Sequence, residues 1–196
     1  MDNDTQRSFT VLLVDDDIDV LASNARYMRL SGLEVQVADD VDVALHRLAQ
    51  YPIDAVITDV RMPGKDGLEF ASNARVICPM IPIVFFSGYA TVPDVVAAMR
   101  LGAVDFLEKP VEPSSLLATV EGIRDRYDSA INTAQLSFDR GDNSVPFRYR
   151  VLAFEKLLIE QSLVDHDRDI ASVLSALKIN RRTLNDKMRR LGITKK

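Results

Sequence analysis

The sequence predicts an α/β fold, a doubly wound five-stranded parallel sheet, followed by a small all-helical domain. Three observations predict it. Short apolar runs rich in β-branched residues alternate with helical stretches five times, as in a parallel sheet buried on both faces. Four of those runs end abruptly in polar residues. From Phe147 to the end the apolar spacing is helical only.

The elements follow in order. Val11-Leu12-Leu13-Val14 is the core of a first strand near 10–14 and runs into Asp15-Asp16-Asp17. A helix near 17–31 places Leu21, Ala25 and Met28 on one face. A second strand near 33–37 and a helix near 40–50 come next. Ile53 to Thr58 forms a third strand that ends at Asp59, followed by a helix near 66–77. Ile81 to Phe86 forms a fourth that ends at Ser87-Gly88, with a helix near 91–101. The fifth, near 104–108, ends at Lys109-Pro110. Pro113-Ser114-Ser115 opens the last helix of this part, near 114–127, with Leu116, Leu117, Val120 and Ile123 facing inward. The period continues through Tyr127, Ile131 and Ala134, which predicts a longer helix and a short coiled coil. Asp139 to Pro146 reads as a turn-rich linker. Three helices are expected after it, through Val151, Phe154, Leu157, Leu158 and Gln161, then Ile170, Val173, Leu174 and Leu177, then Leu184, Met188 and Leu191. Asn180 is the expected N-cap of the last and Gly192 its stop. Helix, short turn, basic helix is the outline of a helix-turn-helix. The predicted division is 1–127 for the α/β domain, 128–146 for helical extension and linker, and 147–196 for the helix-turn-helix domain.

Composition narrows the function classes. The 196 residues carry a net charge of −5, distributed unevenly. Residues 1–147 hold 12 Lys/Arg against 23 Asp/Glu, whereas residues 148–196 hold 12 against 6. An acidic first part and a basic tail predict that only the tail meets a polyanion. The longest apolar run is too short to cross a bilayer. The start has neither a basic nor an apolar signal region, and the single cysteine, Cys78, excludes an internal disulfide. A cytoplasmic location is expected.

In an open parallel sheet, ligands bind at the carboxyl ends of the strands. Asp15, Asp16, Asp59, Ser87 and Lys109 are therefore expected at one edge. Phosphoryl transfer to a carboxylate needs a nucleophilic oxygen held in line, neutralised charge and a grip on the phosphoryl oxygens. Mg²⁺ takes oxygen ligands, so Asp16 and Asp59 suit direct ligation and Asp15 ligation through water. Lys109 supplies positive charge and Ser87 a hydroxyl. Taken singly, each residue has an ordinary reading as a helix cap, turn residue or surface charge; the combination does not.

Asp15-Asp16, Thr58-Asp59-Val60-Arg61-Met62-Pro63-Gly64, Ser87-Gly88, and Phe106 with Lys109-Pro110 resemble a CheY-like response-regulator receiver domain over residues 8–127. The resemblance implies that Asp59 is the phospho-acceptor and a sensor histidine kinase the donor. It implies Mg²⁺ held by Asp16, Asp59 and the Arg61 carbonyl, and a cis Lys109–Pro110 bond. Ser87 stands where Thr is usual. Phe106 occupies the switch position often held by Tyr and lacks its hydroxyl.

Residues 147–194 resemble the Fis-type helix-turn-helix tail of NtrC-class regulators, especially those controlling C4-dicarboxylate transport. By position, Asn180, Arg181, Thr183 and Asn185 match its DNA-facing residues, and Lys187, Arg189 and Arg190 add phosphate contacts. Lys178 replaces the Gly usual in the turn, and Asp186 stands where a basic residue is common. The central AAA+ ATPase domain of that class is missing: no G-x-x-x-x-G-K-[ST] occurs, so no ATPase and no enzyme is expected. His46 and His166 are lone, giving little support for zinc. The expectation is a phosphorylation-switched regulator that binds double-stranded DNA as a homodimer, held by the helix around Val151, Phe154, Leu157 and Leu158, with no membrane partner. The rival is a signalling adaptor or phosphorelay protein whose tail only dimerises. Salt-dependent DNA binding separates the two.

Overall fold

The computed structural model describes residues 9–138, 145 and 147–194. The chain divides into two compact units, Phe9–Ile123 and the residues from Arg124 onward. Most of the expected linker, Asp139 to Pro146, lies outside the described residues.

The first unit is a five-stranded parallel sheet flanked by helices. Its strands are β1 (Thr10–Val14), β2 (Glu34–Ala38), β3 (Ala55–Asp59), β4 (Ile83–Ser87) and β5 (Asp105–Glu108). The order across the sheet is β2-β1-β3-β4-β5, all parallel. The central strands β1, β3 and β4 are buried throughout, as the unbroken apolar runs require. The edges are not: Glu34 of β2 is exposed and β5 is half-buried, because an edge strand has a neighbour on one side only.

Side chains alternate between the two faces. One face carries Leu12, Val14, Val56, Ile83 and Phe85. It is covered by α2 (Val41–Gln50), α3 (Gly67–Ile77) and α4 (Val92–Arg100), through Val41, Ala44, Leu48, Phe70, Ala71, Ala74 and Ala98. The other carries Val11, Leu13, Ala55, Ile57, Val84 and Phe86. It is covered by α1 (Ile18–Leu30), through Leu21, Ala25 and Met28, and by Leu116, Val120 and Ile123 of α5 (Pro113–Phe138). Asp17, Asp40, Asp66 and Thr91 cap the first four helices with side-chain oxygens. Each satisfies an otherwise unpaired N–H and fixes where strand gives way to helix.

The second unit is built on α6 (Phe147–Asp165), α7 (Ile170–Leu177) and α8 (Arg181–Arg190). Val173, Leu184, Met188 and Leu191 form its core with Ala153, Ile159 and Leu163 of α6. Tyr127, Ile131 and Ala134 are buried in that same core. The coiled coil expected there is therefore corrected: the apolar period is real, but the chain's own helices cover it. The face of α6 read from the sequence behaves in the opposite way. Val151, Phe154, Leu157 and Leu158 are all exposed, as is Phe147 at the start of the helix.

Lys178 caps α7 in the left-handed conformation, φ 53° and ψ 39°. A Cβ there costs about 1 kcal/mol or somewhat more. Lys178→Gly is expected to stabilise the protein by about 1 kcal/mol, read from chemical denaturation; no gain would show that the Lys side chain has a compensating role.

Candidate functional site

The site lies at the carboxyl edge of the sheet, where β1 and β3 meet and the strand order reverses. Val14 of β1 stands beside Thr58 of β3, so the next residues, Asp15 just past β1 and Asp59 at the end of β3, sit together. Asp15 is 1% and Asp59 7% exposed, while Asp16 faces solvent. One oxygen from each of the three carboxylates lies within 4.8 Å of the others. That is an all-oxygen donor set with one open side, which suits a hard divalent cation.

Lys109 enters from beyond β5. Its Nζ donates to Asp15 Oδ2 at 2.7 Å and to Asp59 Oδ2 at 2.5 Å. The other Asp59 oxygen accepts from the Arg61 amide at 3.0 Å, and Asp15 Oδ1 accepts from the Asp17 amide at 3.0 Å. Both carboxylates are thus oriented before any ligand arrives. Burial pushes the Asp15 carboxyl above its ordinary value, against the pull of Lys109 and the Asp17 amide. For Lys109, burial pulls the ammonium down, but its bonds to Asp15 and Asp59 outweigh that and leave it raised and charged. A carboxyl raised in the fold costs stability once it ionises. Asp15→Asn is therefore expected to raise the melting temperature by a few degrees near pH 7, with the gain shrinking as pH falls through the Asp15 range. A gain independent of pH would contradict this assignment.

Ser87, 1% exposed, ends β4 one strand away, and its carbonyl accepts from the Lys109 amide at 3.0 Å. The Lys109–Pro110 peptide is cis. Phe106 stacks on Phe85 with ring centroids 6.2 Å apart. The sequence had shown these positions but not their supports. Arg61 donates through Nη2 to both Asp94 oxygens, at 3.0 and 2.7 Å. Asp94 in turn closes a capping box with Thr91 at the start of α4. The loop beside Asp59 is thereby tied to the segment after Ser87. Gly67 packs against the Asp59 carbonyl, so close that a Cβ would stand 1.9 Å from that oxygen. An open groove of about 610 Å³ adjoins Lys109, walled by Val20 and Asn24 of α1 and by Tyr89, Pro110 and Val111.

In the second unit Asn180 is the N-cap of α8, its side chain accepting from the Thr183 amide at 2.8 Å. Arg181, Arg182 and Arg189 are exposed, and Thr183, Asn185 and Arg190 half-buried. Asp186 lies 4.0 Å from Arg182 on the same helix, which softens its misfit among basic residues. Lys187 does not project freely: it pairs with Glu155 of α6 at 2.7 Å. Any anion approaching Lys187 would have to displace that carboxylate. Among the described residues, no helix is long and apolar enough to cross a membrane.

The fold and the acidic edge define a class, and sequence comparison agrees with it. Residues 11–121 match the response regulator receiver domain family, and the chain belongs to that family. Its relatives include the transcriptional regulatory protein PrrA of Mycobacterium tuberculosis, 33% identical over 168 residues, which span 86% of this chain and 71% of that protein. The transcriptional regulatory protein FixJ of Bradyrhizobium diazoefficiens is 34% identical over 129 residues, 66% of this chain and 63% of that one. Among solved structures, a response regulator receiver protein from Pseudomonas putida superposes with a TM-score of 0.56 at 33% identity, covering 59% of this chain and 97% of that chain.

Proposed function

We propose that this chain is a phosphorylation-switched, DNA-binding response regulator whose acceptor is Asp59. The observation that carries the reading is the pair of oriented carboxylates, Asp15 and Asp59, held by one lysine at the switch point of the sheet. In transfer from a kinase histidine, an Asp59 carboxylate oxygen bonds to phosphorus as the donor's P–N bond breaks. Lys109, released from Asp59, donates to the incoming phosphoryl oxygens, and the Ser87 hydroxyl donates from the next strand. Asp16, Asp59 and the Arg61 carbonyl would hold Mg²⁺, with Asp15 acting through water. The ion, when bound, neutralises charge on the phosphoryl oxygens. The groove beside Lys109 leaves the donor a path to the edge.

The names of the relatives, transcriptional regulatory proteins, support a transcriptional output. The tail, residues 147–196, is read as a Fis-type helix-turn-helix of the NtrC class without its ATPase domain. Its exposed Arg181 and half-buried Asn185 suit base edges, and Asn180 and Thr183 set the start of the helix. Arg189 and Arg190 suit phosphates, and Lys187 joins them only by leaving Glu155. The active form is read as a homodimer. Phe147, Val151, Phe154 and Leu158 follow a four-three-four spacing along α6, the seam of a paired helix.

The test is DNA binding by the full chain across a salt series. Arg181→Ala/Asn185→Ala is expected to lose about 1–3 kcal/mol per base contact on the preferred site. Phe154→Asp/Leu158→Asp is expected to halve the mass seen by light scattering and weaken binding. Wild-type affinity in the first variant would reject the recognition helix. A wild-type chain that binds as a monomer would reject the dimer.

A further inference from the structure

The lysine at this site reaches its partners by a route that the sheet order dictates. Lys109 follows β5, yet its ammonium bonds Asp15 beyond β1 and Asp59 at the end of β3. Strand β4 lies between β3 and β5. The lysine stem must therefore cross β4 on the face that carries Asp59. The β4 residue in register with Asp59 is Phe86, and Phe86 is also in register with Leu107, two residues before Lys109. Alternation puts Asp59, Phe86 and Lys109 on the same face. The Lys109 Nζ lies 4.3 Å from the centroid of the Phe86 ring, over its face. Phe86 is 3% exposed and the Lys109 side chain 21%, so little water screens the contact.

We infer that Phe86 is a positioning residue for phosphoryl transfer: its ring face carries the Lys109 ammonium across β4 and holds it between Asp15 and Asp59. The inference rests on the reading of Asp59 as acceptor. The negative face of an aromatic ring attracts an ammonium most strongly where water is scarce. It offers no hydrogen bond, so all the Lys109 protons remain for carboxylate and phosphoryl oxygens. A leucine would fill the space without that field. A polar residue there would compete for the ammonium.

A set of near-isosteric replacements separates this role from plain core packing. Phenylalanine at position 86 is replaced by mono-, di- and trifluorinated phenylalanine, which keep the shape and progressively drain the ring face. The full chain is treated with acetyl phosphate and Mg²⁺, and the rate of Asp59 labelling is followed. The rate is expected to fall stepwise, by roughly three- to tenfold across the series, with Phe86→Leu at or below its end. The Lys109 ε-methylene protons are expected to show an upfield ring-current shift in the wild type that Phe86→Leu abolishes. A flat labelling rate across the fluorinated series would overturn the inference. So would unshifted ε-methylene protons, a readout that does not depend on phosphorylation. A wild-type chain that takes no label at Asp59 but shows the ring-current shift would instead remove the acceptor reading and, with it, the catalytic purpose assigned to Phe86.

Discussion

Replacing Asp59 with Asn or Ala is expected to reduce acyl-phosphate formation to background. The protein would be incubated with acetyl phosphate and Mg²⁺, and the adduct read by intact mass and by hydroxylamine trapping. The loss should be complete rather than graded, because no neighbour can substitute for Asp59. Asp15 is the only other buried carboxylate of the cluster, and its two oxygens are taken by Lys109 and the Asp17 amide. Asp16 lies past the end of β1 and is exposed to solvent, so its carboxylate lacks the buried setting that Asp59 has. Nor should the loss come from unfolding. Removing the Asp59 charge leaves Asp15 and Lys109 as a matched pair in place of two carboxylates sharing one ammonium. The Asn variant should thus melt no lower than wild type while accepting nothing. Wild-type labelling in Asp59→Asn would overturn the assignment, and a variant that fails to fold would contradict the charge argument.

The parts of this site visible in the sequence share one physical reason. In a sheet buried on both faces, a strand can turn polar only where it leaves the core, so Asp15, Asp59, Ser87 and Lys109 mark their own positions. The contacts that were missed depend on lateral relations that a single strand does not encode. Phe86 looks like any core phenylalanine until β4 is known to lie under the path of Lys109. Arg61 looks like a loop cation until the start of α4 brings Asp94 to it. The helical tail shows the same limit. Spacing identified apolar faces on α5 and α6 but not what covers them. Tyr127, Ile131 and Ala134 are covered by the chain's own tail, while Phe154 and Leu158 of α6 stay exposed. The departure at Lys178 was legible because Gly is usual there, and the backbone is indeed left-handed.

The second large effect is a steric one, at a residue with no chemistry of its own. Gly67 opens α3, directly after the N-cap Asp66. A Cβ on it would fall 1.9 Å from the Asp59 carbonyl oxygen, 2.9 Å from the Asp59 carbonyl carbon and 3.1 Å from Thr58 Oγ1. The first two are backbone atoms of the last residue of a buried central strand, so they cannot swing aside as a side chain would. The same carbonyl already accepts from the Thr58 hydroxyl at 3.0 Å, and Gly67 itself donates to the Val60 carbonyl at 2.9 Å. Relief therefore requires moving α3 off the sheet or dragging Asp59 out of reach of Lys109. Gly67→Ala is expected to cost about 3 kcal/mol and to slow labelling of the surviving folded protein. Gly122 provides the control. It lies within α5, and a Cβ there meets nothing within 4 Å. Gly122→Ala should stabilise by up to about 1 kcal/mol through helix propensity alone. One methyl group added at two glycines should thus shift the denaturation midpoint in opposite directions. A Gly67→Ala protein as stable as wild type, labelled at the wild-type rate, would show that α3 is not pressed against Asp59.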